Sequence, residues 1–277
     1  MTTTYTQKKI AIINDLAGYG KCALTVSIPI ISSMRVAACP IPTSVFSNHT
    51  GYPSFHFKDL TDEMIPYMEQ WKKLNFSFDG IISGYLGSKE QIDIVADFIK
   101  DFKKENTSVI IDPIMGDHGK TYSAYTPEMC LKMKELVKYA DVLTPNITEA
   151  CILTDTPYKN SWQRKEIIEI AEKLSSAGPS KVVITGINQK TYITNLCFVR
   201  DEEPVFISTH RIGTGRHGTG DIFTSMIASD AVNGVEFKES VRKAAHFIKK
   251  CIQHSIDLGV PEPEGVVFEE LLYMLNK

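Results

Sequence analysis

The sequence predicts an α/β fold of three layers, α/β/α, with a mostly parallel central sheet flanked by helices. Three observations lead there. Strand-like apolar runs alternate with helix-like periods along the chain. The strands read as nearly continuous apolar segments, as in KIAIIN and SVIIDP, which suits strands covered on both faces. No linker, repeat or low-complexity tract interrupts the alternation over 277 residues. A single domain over 1–277, with no separate lid domain, is therefore expected.

The elements follow in order. KIAIIN (9–14) is the first strand. CALTVSIPIISSM (22–34) is a helix that has to accommodate Pro29, whose ring removes a main-chain donor. VAACPIP (36–42) is the second strand. Residues 61–74 form an amphipathic helix with Thr61 as N-cap and Met64, Ile65, Met68 and Trp71 as its apolar face. DGIISGY (79–85) is a strand. The helix 88–104 puts Ile92, Val95, Ile99 and Phe102 on one face. SVIIDP (108–113) is a strand that ends in an acid and a proline. A helix at 126–138 precedes the short strand DVL (141–143), and PNITEACIL (145–153) opens another helix. Residues 162–176 are helical and KVVIT (181–185) is a strand. TYITNLCFV and PVFIST pair as a hairpin, and helices at 219–233 and 238–257 close the chain.

Composition narrows the function classes. The chain is 43% hydrophobic and 23% charged, with a formal net charge of −3. That balance gives no electrostatic reason to bind nucleic acid or an anionic membrane. No apolar run approaches the ~20 residues of a membrane-spanning helix. The N-terminus, MTTTYTQKKIAIIND, has an apolar stretch of only Ile10 to Ile13, too short for a signal peptide core. Six cysteines, at 22, 39, 130, 151, 197 and 251, form no CxxC pair. Reduced thiols in a cytoplasmic protein are the expectation, with Cys22 and Cys39 as small packing residues.

In open parallel sheets, ligands bind beyond the carboxyl ends of the strands. The polar residues that follow strands are Asn14, Asn48-His49-Thr50, Tyr85, Asp112, Asp117, Thr144-Pro145-Asn146, Glu149 and Thr185. Two glycine motifs nearby mislead. DLAGYGKC (15–22) imitates a phosphate loop, but Asp15 stands for the first glycine and Cys22 for the metal-binding hydroxyl. Gly18 and Gly20 are expected to make a tight turn instead. GTGRHG (213–218) matches a dinucleotide pattern, but it comes late and lacks the acid about 20 residues on.

HGTGDIFTSM (217–226) carries more chemistry. Glycines at a helix start let a phosphate reach unpaired N–H groups and the positive end of the helix dipole. Gly218, Thr219 and Gly220 can cradle a transferring phosphoryl group, with Asp221 as base for an acceptor hydroxyl. Asp221 equally suits a plain helix cap. DPIMGDHG (112–119) and TPNITE (144–149) add carboxylates at strand ends. Asp112, Asp117 and Glu149 suit an oxygen-coordinated Mg²⁺, or else an Asx turn and a solvated helix residue.

In this order the segments resemble pyridoxal kinase, of the ribokinase-like superfamily, over nearly the whole chain. SNHTGY (47–52) is the most distinctive piece; GY (84–85), DPIMGD (112–117), ADVLTPNITEA (140–150), VVIT (182–185) and GTGD (218–221) follow. The resemblance implies a ribokinase-like fold and ATP-dependent phosphorylation of the 5′-hydroxyl of pyridoxal, pyridoxine or pyridoxamine. It makes Asp221 the catalytic base and Gly218, Thr219 and Gly220 the anion hole. Asp112, Asp117 and Glu149 would organise Mg²⁺, and Thr144, Asn146 and Thr185 would contact the nucleotide. Tyr125 would be a lid tyrosine. Asn14, Thr50 and Tyr85 would contact the pyridine. K⁺ as an activator and a homodimer are also implied.

Two departures stand out. The family commonly has a serine after the first strand where this chain has Asn14 and Asp15. RIGTGRH (211–217) is unusually rich in glycine and basic residues; Arg211 or Arg216 either reaches a phosphate or is a solvated loop charge. His49 is expected to be structural, since Asp221 already supplies a base. The nearest rival is hydroxymethylpyrimidine kinase, whose members often carry cysteine at the position of Asp221; an enzyme using both substrates is a variant of that reading. A non-catalytic vitamer-binding protein is the alternative from another class.

Overall fold

A computed structural model describes residues 7–276; the first six residues, part of the N-terminal segment read above, lie outside the described range. The order is β1 (Lys9–Tyr19), α1 (Leu24–Ser33), β2 (Ala37–Asn48), β3 (Phe57–Asp59), α2 (Thr61–Lys73), β4 (Gly80–Ser83), α3 (Lys89–Phe102) and β5 (Ser108–Ile111). Then come β6 (Gly116–Asp117), β7 (Lys120–Thr121), α4 (Pro127–Val137), β8 (Val142–Leu143), α5 (Ile147–Leu153) and α6 (Arg164–Ala177). β9 (Lys181–Gln189), β10 (Tyr192–Val199), β11 (Val205–His210), α7 (Thr219–Val232) and α8 (Phe237–Asp257) complete the layers. Two 3₁₀ turns, Glu262–Glu264 and Glu269–Leu275, follow.

Nine strands form one sheet in the order β11-β10-β9-β8-β5-β4-β1-β2-β3. The stretch from β9 to β2 is parallel, and the antiparallel strands β10, β11 and β3 sit at its edges. Alternation sorts the side chains of β1 into two cores. Ala11 and Ile13 pack with α2 to α6, and Ile10 and Ile12 pack with α1, α7 and α8. The face of α3 is as expected: Ile92, Val95, Ile99 and Phe102 are all buried.

Tertiary pairing moved several boundaries. β1 runs five residues past Asn14 because β2 continues beside it, Tyr19 facing Asn48. Gly18 is thus a strand residue, and the turn falls at Gly20, with φ of +87°. There a Cβ would come within 2.2 Å of the His49 ring, so only glycine fits. β9 outlasts its apolar run because β10 pairs back on it. β4 and β5 stop short of their predicted ends, where the chain leaves the sheet to present polar residues. Leu60, not Thr61, is the N-cap of α2, and Ile65 is 52% exposed. Pro29 does lie inside α1.

Candidate active site

The carboxyl ends of β5, β8 and β9 and the start of α7 border a cleft of about 1040 Å³. Asp112, Asp117, Thr144, Asn146, Glu149, Thr185 and Gly218 to Asp221 all line it. Sequence segments more than a hundred residues apart therefore converge as expected.

The start of α7 answers whether Asp221 is a cap. Gly218 holds the N-cap position in the left-handed region, with φ of +86°, and no side chain caps the helix. The first N–H groups of α7 are therefore left without a side-chain partner. Asp221 lies in the first turn and accepts a hydrogen bond from Asn14 Nδ2 at 3.4 Å. Its surroundings raise its pKa, chiefly by burial. Thr219 Oγ1 donates back to the Arg216 carbonyl at 3.1 Å, which tightens the entry to the helix. Beyond Gly220 a Cβ would meet open space.

Asn14 ties this helix to the neighbouring strand ends. Its Oδ1 accepts from the amides of Tyr85 at 2.8 Å and Asp15 at 3.0 Å. One side chain thus orients the carboxylate of Asp221 and the backbone at Tyr85. Thr224, three residues on from Asp221 and hence on the same helix face, donates to Asp112 Oδ2 at 2.9 Å and meets Thr144 Oγ1 at 3.0 Å. Thr224 was not singled out in the sequence; its spacing from Asp221 was the available signal.

Glu149 is not a solvated helix residue. It is buried, and it closes a capping box with Asn146, whose amide donates to Oε2 at 2.8 Å. Its Oε1 accepts from the Met115 amide at 3.1 Å. Burial, then the charge of Asp112, raise its pKa well above the usual carboxylate range. Asp112 is pushed up to about 7 by burial and by Asp221. Asn146 and Thr185 lie side by side as a parallel bridge, and Thr185 N donates to the Pro145 carbonyl at 2.9 Å.

The three expected metal ligands all line the cleft but differ in burial. Asp117 is exposed, and its Oδ1 accepts from the His118 amide. Among the described residues no three His, Cys, Asp or Glu side chains gather into a metal cage. The buried carboxylates of Asp112 and Glu149, with Asp117 on the same cleft, are oxygen donors of the kind a hard divalent cation takes.

Other expected residues also fall differently. Tyr125 is buried with its hydroxyl unpaired, whereas Tyr122 and Tyr158 line the cleft. Thr50 is exposed in the turn after β2. Tyr85 is half-buried and sits edge-on to Phe46. His49 is structural as expected: Nδ1 accepts from the Gly51 amide, and Nε2 donates to the Pro263 carbonyl at 2.6 Å. Arg216 spends its guanidinium on the carbonyls of Val260, Pro261 and Gly265, pinning the C-terminal turn. Arg211 is exposed and contacts Asn188. Cys39 packs on the core, whereas Cys22 lines the cleft.

The carboxylates make stability pH-dependent. Asp15 and Asp112 are each raised from 3.8 to about 7 in the folded chain. The folded state then holds these protons more tightly than the unfolded state. Their contribution is complete below the unfolded value and is lost as pH rises through the folded one. The ligand-free chain is expected to unfold at lower urea at about pH 8 than at about pH 5.5. Ion-paired acids such as Glu166, whose pKa is lowered, act only at more acidic pH. Equilibrium urea unfolding at both pH values checks this; equal midpoints would contradict it.

Comparison with known proteins places this geometry. Residues 28–265 match the family model for phosphomethylpyrimidine kinase. The chain is 32% identical to pyridoxal kinase of Arabidopsis thaliana, over 77% of this chain and 70% of that one. It is 30% identical to pyridoxal kinase of Ovis aries, over 66% of this chain but only 64% of the sheep protein. A crystal structure from Bacteroides thetaiotaomicron VPI-5482, an orthorhombic form with pyridoxal, superposes with a TM-score of 0.95 at 39% identity, covering 98% of this chain and 96% of that one. With its glycine-led helix start, its converging strand-end carboxylates and this match, the chain belongs to the phosphomethylpyrimidine kinase family of the ribokinase-like superfamily.

Proposed function

We propose that this protein transfers the γ-phosphoryl group of ATP to the 5′-hydroxyl of pyridoxal, pyridoxine or pyridoxamine, a step of vitamin B6 salvage. The observation that carries this reading is Asp221, oriented by Asn14 beside the uncapped N-terminus of α7 at the cleft. The relatives named pyridoxal kinase and the Bacteroides structure with pyridoxal support the acceptor class.

Asp221 takes the proton from the acceptor hydroxyl. Burial raises its pKa above the usual carboxylate value, which makes it a stronger base than an exposed aspartate. The N–H groups that follow Gly218 receive negative charge on the phosphoryl oxygens. The wall formed by Ile212, Phe223, Ala245, Ile248 and Ile252 offers an apolar face to a nucleobase, and Asn146 and Thr185 offer polar contacts. Asp112 and Glu149 are the residues to hold Mg²⁺, which when bound neutralises phosphate charge; K⁺ serves as a further activator. Six free cysteines suit a cytoplasmic setting, and no described helix is long and apolar enough to cross a membrane. A homodimer is supported by the exposed apolar residues Val45, Phe55 and Phe57 around the β3 edge.

The family name favours one second reading, hydroxymethylpyrimidine as acceptor, since it too presents a hydroxymethyl group on a nitrogen heteroaromatic ring. The test is ADP release from ATP and Mg²⁺ with the three vitamers and hydroxymethylpyrimidine side by side, K⁺ present. Vitamer-dependent turnover is expected. Turnover with hydroxymethylpyrimidine alone would move the chain to the second reading, and none at all would make it a binding protein.

A further inference from the structure

Asp15 has no role in the chemistry above. It follows Asn14 within the carboxyl half of β1, just beyond the last residue paired with β4, on the side of the sheet at which such folds take ligands. It is 9% exposed, and among the described residues no ion pair and no hydrogen bond from another residue reaches its carboxylate. An unpaired buried carboxylate is costly, and burial, then the charge of Asp221, raise it to about 7. Its electrostatic neighbours are Asp221, Cys22 and Tyr85, with no lysine or arginine among them. Cys22 and Asp221 line the cleft, and Asp15 lies behind them, within electrostatic reach of both.

A second observation concerns the strand alongside. The pairing of β1 with β2 shifts register at Asp15: Asn14 faces Pro42, but Leu16 faces Val45. The extra β2 residue is a bulge of the kind that redirects side chains near sites. Ser44, in that bulge, is buried with its hydroxyl unpaired. Two polar groups without partners thus lie at the same point of the sheet.

We propose that Asp15 sets acceptor specificity: its carboxylate receives an ammonium group carried on the substrate ring, so that pyridoxamine is preferred to pyridoxal. This rests on the vitamer-kinase reading. The three vitamers share the ring nitrogen and the 5′-hydroxymethyl group and differ at carbon 4, which bears an aminomethyl, a hydroxymethyl or an aldehyde group. An ammonium brings three donors and a compensating charge to the carboxylate. An aldehyde brings only an acceptor oxygen, which can pair with the protonated acid but brings no charge to compensate the carboxylate. Sites built around a buried polar group reject ligands that cannot pair with it.

The test is steady-state kinetics of the wild type and Asp15→Asn on all three vitamers. Wild-type kcat/KM is expected to favour pyridoxamine over pyridoxal by about tenfold, and Asp15→Asn to erase that ratio through loss on pyridoxamine. Asn keeps the volume; Asp15→Ser is a second variant with the same expectation should the first fail to fold. Equal losses on all three vitamers, or a wild type that prefers pyridoxal, would overturn the proposal. Calorimetric binding of pyridoxamine without nucleotide separates this from the kinase reading. Weaker binding to Asp15→Asn in a chain with no turnover would keep the Asp15 contact and remove the kinase reading, whereas unchanged binding would overturn the contact itself.

Discussion

Asp221→Ala is expected to lower kcat by about a thousandfold, the usual range for a positioned general base. Binding of ATP and vitamer should change little. The reason lies in what the side chain does and does not hold. Asp221 does not cap α7, because Gly218 holds the N-cap position and no side chain caps the helix. Its carboxylate partners are Asn14, which stays anchored through Oδ1 to the amides of Tyr85 and Asp15, and the backbone at Ala23, which is held by the first turn of α1. Alanine therefore removes the proton acceptor and leaves the framework. It also removes a buried negative charge that pushes Asp15 and Asp112 upward, so the variant should be at least as stable as the parent at neutral pH. Turnover and isothermal binding, measured on one preparation, check both halves. A loss of turnover under about tenfold would show that Asp221 is not the base.

Gly218→Ala should damage fold and activity together. The left-handed φ of +86° costs a residue with a Cβ about 1–2 kcal/mol. The added carbon would also come within 2.2 Å of the Lys21 carbonyl, a backbone atom that cannot swing aside. The entry to α7 must then shift, and with it the N–H groups that face the cleft. Loss of one such donor typically costs about a hundredfold or more in kcat. Gly220→Ala is the matched control. Its Cβ meets no protein atom, and alanine favours the helix, so stability should hold or rise slightly. Activity should still fall, because the methyl group fills space left for the phosphoryl group. Thermal unfolding and kcat for the pair separate backbone strain from occupied space. A Gly218→Ala variant with parental stability would contradict the strain account.

The sequence alone determined the layer architecture. Continuous apolar strands need cover on both faces, and the alternating helices supply it; period and composition carry that information locally. It also picked out residues that share one cleft: Asp112, Thr144, Asn146, Glu149 and Thr185 all follow apolar runs and all line it. Local signals likewise placed Asn146 ahead of a helix, where it forms its capping box with Glu149.

Tertiary structure decided the rest, for reasons of contact at long range. The length of β1 depends on β2 remaining beside it, which no window around Asn14 reveals. Tyr122 lines the cleft while Tyr125 is buried, a difference of burial that the sequence around them does not show. Arg216 turned from phosphate candidate to anchor because the C-terminal turn, far along the chain, brings three carbonyls to it. The isolation of Asp15 is also a property of the fold alone. A sequence shows that a carboxylate is there; only packing shows that nothing within the described chain compensates it.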